Sequence, residues 1–320
     1  MVLEVIESGL ATTVQDQGRL GYYNVGIPQS GAMDSLAAEM ANVLVGNPED
    51  AAVLECTYIG PKLLVTETVW MAVAGAPVDI KVNSEPAAQW EALQLKAGDE
   101  VSFGVIKGGT RYYLAFTGGI DVPIVLGSRS TYALGGLGGF EGRALRAGDN
   151  LSLGDASAAG KPGSVPEELR PAYDNAVEIR VVRGLYDHRL SDEGREAFYG
   201  SEWVLSPVAD RIGLRFKGPG VKWHEREQPF GAGSDPSNIV DAGYAVGSIQ
   251  IPGGTEPIIL HRDAVSGGGY AMVATVISAD MDLLARLTPG TKARFVQVSM
   301  DEALTARAEA KARRRRLRGA

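Results

Sequence analysis

The residues best suited to chemistry in this chain stand in a few glycine-flanked polar turns. Gly127-Ser128-Arg129-Ser130-Thr131 is followed closely by Gly135-Gly136-Leu137-Gly138-Gly139-Phe140-Glu141-Gly142-Arg143. Together they offer two guanidinium forks, three hydroxyls and flexible backbone N–H groups, with no apolar periodicity that would bury them as an ordinary element. Such a loop suits an anion. Gln15, Asp16 and Arg19, then Asp34, then Arg211 and Arg215, then Gln250, Asp263 and Tyr270 stand in turns of the same kind. An arginine fork holds a carboxylate through two parallel hydrogen bonds, so the set suits an amino-acid-like substrate or an activated carboxyl species. The competing reading pairs each arginine with an acid such as Asp16, Asp34 or Glu55, so that the charges only tie loops together.

Other chemistries fail on spacing. Gly154 to Lys161 imitates a phosphate loop, but its glycines are one residue too far apart and Pro162 stands where a magnesium-binding hydroxyl is needed. The Gly135–Gly142 run has Glu141 where a dinucleotide fingerprint needs its third glycine. His261-Arg262-Asp263 imitates a kinase catalytic loop, yet Gly268 replaces the metal-holding Asn. His188, His224 and His261 are scattered without ligand spacing, so no metal is expected. No serine lies in a nucleophile elbow. Cys56 is the only cysteine, which excludes an intramolecular disulfide and reads as a buried structural thiol. His261 reads as an ordinary strand-end histidine, the alternative being a general base or donor that works with Asp263 near a bound substrate.

The elements that must carry these turns are mostly strands. Lys62–Thr66, Val69–Ala74, Val78–Val82, Arg111–Phe116 and Val177–Val182 are short, rich in β-branched or aromatic residues and bounded by turn formers. A turn-plus-strand phrase recurs at Leu95–Phe103, Leu145–Leu153 and Leu287–Phe295, which suits related β-barrels in tandem. The 41 glycines, about 13% against a usual ~7%, fit many tight turns. Asp34 caps a helix through Val45, Ser191–Tyr199 forms a short helix, Asp280 caps another through Leu287, and a tail helix follows from Asp301. The length of 320 residues supports two domains. Their division is 1–160 with its linker, 161–300, and a basic tail helix over 301–320.

The net charge of −8 hides a more acidic body, because residues 307–318 hold seven Lys or Arg. That body excludes nucleic acid as a partner of the general field. The tail reads as a solvated, frayed helix end. Nothing approaches 18 continuous apolar residues and the N-terminus lacks a positively charged leader, so neither a membrane span nor export is expected and the cytoplasm is the expected compartment.

A family resemblance runs along nearly the whole chain. It is carried by Thr13-Val14-Gln15-Asp16, Gly18-Arg19, Ser30-Gly31-Ala32-Met33-Asp34, Leu44-Val45-Gly46-Asn47, Leu54-Glu55, Gly60-Pro61, Gly127 through Thr131, Gly142-Arg143, Asp210 through Arg215 and Gly247 through Pro252. These motifs resemble the family of allophanate hydrolase subunit 2, biotin-dependent carboxyltransferase and the 5-oxoprolinase C-subunit, which includes Kip-type antagonists of a sporulation kinase inhibitor. The resemblance implies a mainly β fold of two tandem cyclophilin-like barrels. It also implies one of three functions. The first is a subunit of an ATP-dependent amidohydrolase that opens a cyclic or urea-derived amide, with ATP acting at the level of the complex. The second moves a carboxyl group from carboxybiotin to urea, the only reading that needs biotin. The third is a non-catalytic regulatory subunit. The implied partners are a Kip-inhibitor-like, allophanate hydrolase subunit 1-type protein and a third oxoprolinase subunit. Val265 and Gly267 depart from the family pattern between Asp263 and Tyr270 and remove polar contacts there.

Within that frame Asp16, Arg129 and Asp263 are expected to be catalytic, with the aspartates orienting or deprotonating the attacking group. Gln15, Arg19, Asp34, Ser128, Arg143, Arg211, Gln250 and Tyr270 are expected to bind substrate. Backbone N–H groups of the glycine-rich loop would complete an oxyanion site.

Overall fold

The computed structural model describes residues 2–318. The chain divides into two compact units. The first comprises Ser30–Tyr173 with the segments up to Leu20 and from Ala312 onward; the second comprises Asp174–Lys311 with Gly21–Gln29.

In the first unit the alternating runs pair into two antiparallel sheets. One has seven strands, ordered Ile120–Asp121, Asn150–Leu153, Val2–Glu7, Lys62–Val65, Glu100–Phe103, Ile80–Val82 and Glu85–Ala87. The other has five, ordered Ala11–Gln15, Val53–Thr57, Arg111–Phe116, Val69–Gly75 and Ala92–Leu95. Leu3, Val5 and Leu63 of the larger sheet pack with Leu54, Val73 and Leu114 of the smaller in one core. The second face of the smaller sheet is covered by helix α1 (Ser35–Leu44), whose Leu36, Met40 and Leu44 meet Ala72, Ala74 and Ala115. Burial on both faces explains why Val69–Gly75 reads as a nearly continuous apolar run rather than an alternating one.

The second unit closes. Ala176–Arg183, Met272–Val276, Ser248–Gln250, Ile258–Leu260, Gly213–Lys217, Trp203–Ala209 and Lys292–Gln297 form a barrel in that order. The last strand returns parallel to the first, with Ile179 opposite Phe295. Its interior is aromatic: Phe198 of helix α2 (Asp192–Gly200) stacks on Phe295 at 4.7 Å, beside Trp203 and Phe216. A two-stranded ribbon, Asn238–Gly243 with Gly267–Tyr270, stands apart from the barrel strands in the pairing order.

The expectation of a mainly β chain with few helices therefore holds, while closure is seen in one barrel and the first unit presents two open sheets. Period-two alternation tells which face a strand buries. It carries no information on whether the two edges of a sheet meet, which depends on stagger between distant strands.

The recurring phrase does what its turn chemistry implies. Gly98, Gly148 and Gly290 all adopt positive φ, at 92°, 89° and 94°. Asp99 and Asp149 each accept the backbone N–H three residues earlier at 2.7 Å, and Thr291 does the same for Thr288 at 3.2 Å.

Asp34 caps α1 by accepting from Ala37 N at 3.1 Å, and Ser191 caps α2 by accepting from Gly194 N at 3.0 Å. The third expected helix is shorter, with α3 limited to Met281–Leu284. Asp280 makes no cap there, because its carboxylate is taken by the Arg180 fork at 2.5 and 3.1 Å.

Helix α4 (Met300–Arg318) corrects the reading of a solvated tail. Its end is docked in the first unit: Leu317 is fully buried in the α1 cluster, Arg314 pairs with Glu39 and donates to Ser35 Oγ, and Arg313 donates to the carbonyls of Leu169 and Arg170. One apolar side chain in a basic run gives no periodicity to reveal this. Leu317→Ala is expected to cost about 2–3 kcal/mol by cavity formation. It should also expose the Arg313–Arg316 peptide bonds to trypsin. Unchanged urea midpoint and cleavage rate would restore the solvated reading.

Candidate functional site

Asp16 lies just past the end of strand Ala11–Gln15, at the start of a turn opened by Gly18 at φ 91°. Its carboxylate collects four donors: Gly18 N at 2.8 Å, Ser128 Oγ at 2.6 Å, Ser130 Oγ at 2.5 Å and Arg129 N at 2.5 Å. Arg19 is almost fully buried and donates from Nη2 to the Ser130 carbonyl, while Gln15 Nε2 donates to the Thr131 carbonyl at 3.2 Å. The two loops singled out in the sequence are thus one joint. A carboxylate has about four lone-pair positions, so the four donors engage the Asp16 carboxylate fully in tying the loops together.

Arg129 contributes its backbone N–H to that joint and turns its side chain elsewhere. Nε donates to the Val122 carbonyl at 3.0 Å and Nη2 reaches Asp121 at 3.4 Å. The guanidinium is about one-third exposed (35%) and borders a cavity of about 350 Å³ that Asn47, Asp50, Gly118 and Asp155 also line. Among the unit's candidate arginines it retains the most access to a ligand.

The glycine-rich turn folds back on the same joint. A Cβ at Gly138 would meet the Ser130 carbonyl at 2.3 Å and one at Gly139 would meet Thr131 Oγ1 at 1.9 Å, so the close approach requires glycine. The turn borders a cavity of about 480 Å³ walled by Val122, Val125, Leu137 and Phe140. Arg143 is not among its lining residues. It forms a bidentate pair with Asp149 at 2.7 and 2.9 Å, reaches Glu141 at 2.5 Å and lies over the Phe140 ring at 5.3 Å. The Arg143 guanidinium beside Asp149 holds that carboxyl below the usual carboxylate range.

A third polar group lies beneath α1. Thr13, Glu55 and Tyr113 are opposite one another across three strands and share one sheet face. Glu55 accepts from Met33 N at 2.8 Å and Tyr113 OH at 2.9 Å, and Arg111 lies 3.5 Å away. Asp34 N donates to the same tyrosine oxygen at 2.8 Å. Burial first, then the charges of Glu55 and Asp34, push the Tyr113 hydroxyl well above its ordinary range, so it stays protonated as a donor. In the sequence Glu55 stood out as a pairing alternative and within the Leu54-Glu55 motif, and Tyr113 only as part of an expected strand; neither had a role there, because strand register brings them together.

Arg211, Gln250, Asp263 and Tyr270 belong to the second unit. Arg211 grips Asp263 through Nε and Nη2, at 2.7 and 3.1 Å. Tyr23 donates to the adjacent Ala264 carbonyl at 3.4 Å, and burial followed by the Asp263 charge raises its hydroxyl pKa. Tyr270 exchanges two hydrogen bonds with Tyr244 OH, N–H donating at 2.7 Å and the carbonyl accepting at 2.9 Å, while its side chain remains exposed. Gln250 is half-buried on its strand, with no hydrogen-bond partner for Oε1. Arg215 pairs with Glu256 at 3.2 Å. His261 is fully buried and its Nδ1 accepts from Arg262 N at 2.9 Å, which places the ring proton on Nε2, 3.4 Å from the Met281 carbonyl.

Cys56 is fully buried, and burial pushes its thiol pKa up, away from nucleophilic use. Among the described residues no group of three or more His, Cys, Asp or Glu is arranged to hold a metal ion. No helix among them is long and apolar enough to cross a membrane.

These loops match known proteins across both units. Residues 25–297 match the carboxyltransferase domain family, subdomains A and B. The urea amidolyase of Lachancea kluyveri is 37% identical over 310 residues, covering 92% of this chain and 17% of that protein. The 5-oxoprolinase C-subunit of Escherichia coli strain K12 is 37% identical over 308 residues, covering 96% of this chain and 94% of that protein. The crystal structure of the K. lactis urea amidolyase superposes with a TM-score of 0.92 at 36% identity, covering 97% of this chain and 19% of that one. The chain therefore spans under a fifth of the urea amidolyases it matches. This is a family of enzymes, and the chain belongs to it as a carboxyltransferase domain of subdomains A and B.

Proposed function

We propose that this protein is a carboxyltransferase that moves a carboxyl group from carboxybiotin, carried on another polypeptide or domain, to an amide nitrogen of urea or a similar compound. The observation that carries this reading is the match to both carboxyltransferase subdomains along residues 25–297. The relatives named urea amidolyase and urea carboxylase support the substrate class.

A compact ring would be received at one place in the first unit. The 480 Å³ cavity behind the glycine turn has apolar walls at Val122, Leu137 and Phe140, and the turn passes close to it with its backbone amides. Carboxybiotin, when bound, supplies a carboxyl group already activated for transfer. The chain's own residues would exclude water with those walls, and the amides of the Gly138–Glu141 turn would serve as oxyanion donors. Arg129, which borders the adjoining 350 Å³ cavity and whose Nε donates to the carbonyl of the wall residue Val122, would hold the carboxylate at that edge, Asp16 would position Arg129 and Ser128 through its four bonds, and Arg19 would brace the loop. The second unit, taken by itself, carries its own polar group, in which Arg211 fixes Asp263 and Gln250 and Tyr270 would be further binding residues. Arg143, held by Asp149, and Asp34, which caps α1, would support the loops indirectly.

A second reading is favoured by one observation, that the relative named as the C-subunit of 5-oxoprolinase is matched along 94% of its length. On it, the chain acts with a Kip-inhibitor-like partner and a third subunit in an ATP-dependent ring opening.

The test supplies the chain with a carboxybiotin-loaded carrier bearing labelled carboxyl, and urea, simple amides or 5-oxoproline. Label is expected on urea or a related amide, and Arg129→Ala is expected to slow transfer about a hundredfold. No label transfer, with ATP-dependent glutamate formation in the presence of the partner subunits, would replace the first reading with the second.

A further inference from the structure

Two guanidinium forks of the second unit carry a carboxylate across the edge formed by Nε and Nη2. Arg180 takes Asp280 in this way at 3.1 and 2.5 Å, and Arg211 takes Asp263 at 2.7 and 3.1 Å. Arg189 offers the same edge and lacks the acid. Its ring-stacked guanidinium lies 4.6 Å over Tyr186, and Nη1 donates to the Asn238 carbonyl at 3.1 Å. Those two contacts fix the plane of the fork. Its Nε is buried with no acceptor. The neighbouring loop carries a second arginine. The Arg189 carbonyl accepts from His224 N at 2.9 Å and Leu190 bridges Trp223, which brings the loop carrying Arg226 alongside. Arg226 is exposed and forms no ion pair among the described residues.

From this arrangement we propose that Arg189 and Arg226 form a binding site for a small oxyanion, a carboxylate or a phosphate, in the second unit. Guanidinium groups carried on two neighbouring loops without an acid repel each other, and an anion held between them would remove that repulsion while filling the open Nε–Nη2 edge. Burial first, and the Arg226 charge second, pull the Arg189 pKa below its ordinary value. The flanking Glu225 and Glu227 are exposed beside Arg226 and disfavour an extended polyanion, so a compact ligand fits best. The proposal is independent of the carboxyl-transfer reading, since it uses none of those residues.

The test is calorimetric titration of the full chain with sodium phosphate and, separately, sodium acetate, at constant ionic strength held with chloride. Saturable binding with a Kd on the order of 1 mM is expected for at least one of them. Tighter phosphate would assign a tetrahedral anion, and tighter acetate a carboxylate. Arg226→Gln, at an exposed position, should fold normally and weaken binding about tenfold. Arg189→Lys keeps the charge but removes the fork and should weaken it similarly. Absence of saturable binding by either anion, or equal affinity in Arg226→Gln, would overturn the site. Should Arg189→Lys misfold, Arg226→Gln alone decides.

Discussion

Glu55→Ala is expected to be the most damaging single substitution in the first unit, costing about 3–5 kcal/mol. The side chain is almost fully buried and accepts from Met33 N and Tyr113 OH while facing Arg111. Its removal leaves a backbone N–H, a phenol and a guanidinium beneath α1 with one fewer acceptor. The tyrosine cannot adjust by ionising, because burial already holds its hydroxyl protonated. Two units make a single melting curve ambiguous, so hydrogen exchange is the better readout. Amides of Arg111–Phe116 should lose protection by about two to three orders of magnitude, and those of Ala176–Arg183 in the second unit should keep theirs. Equal protection in both strands would show that the ion cluster does not hold the sheet to α1.

Asp16→Ala should have the largest effect on function, slowing turnover about a hundredfold or more and destabilising the loops by about 2–4 kcal/mol. Four donors from two loops lose a common acceptor, and the Arg129 backbone is one of them. The informative comparison is Asp16→Asn, which keeps one acceptor oxygen. If Asp16 is a joint, Asn should recover part of both stability and turnover, and the pH profile of the residual activity should keep its shape. If it is a general base, Asn should be as inactive as Ala at full stability. That second pattern would return proton transfer to Asp16.

The two substitutions act at different depths of one architecture. Glu55 fixes the sheet against α1, and the sheet in turn fixes where strand Ala11–Gln15 ends and where Asp16 stands. Asp16 then sets the path of Ser128–Thr131, against which the glycine turn packs so closely that Gly138 and Gly139 leave no room for a Cβ. The cavity walls at Leu137 and Phe140 follow from that contact. A loop placed by such a chain of contacts is preorganised, which is what oxyanion stabilisation needs.

Short-range physics was legible in the chain as written. Asp34 and Ser191 cap the helices that they precede, Gly98, Gly148 and Gly290 turn where the recurring phrase places them, and the β-branched runs form strands. The ordered motifs from Thr13 to Pro252 were enough to reach the carboxyltransferase family. These features depend on neighbours within about one turn or one strand, so periodicity and turn chemistry encode them directly.

What each charge faces was settled only by the tertiary structure. Asp16 meets Ser128 and Ser130 across more than a hundred residues, Arg211 meets Asp263 across 52, and Arg314 meets Glu39 across 275. Closure of one sheet into a barrel, and not of the two sheets of the first unit, depends on the same kind of long-range register. An arginine fork has the same shape whether it awaits a ligand or holds an acid, so residue type names the chemistry available and pairing geometry decides which forks remain open. By that criterion Arg143 and Arg211 are engaged, whereas Arg129 and Arg189 keep donors to offer.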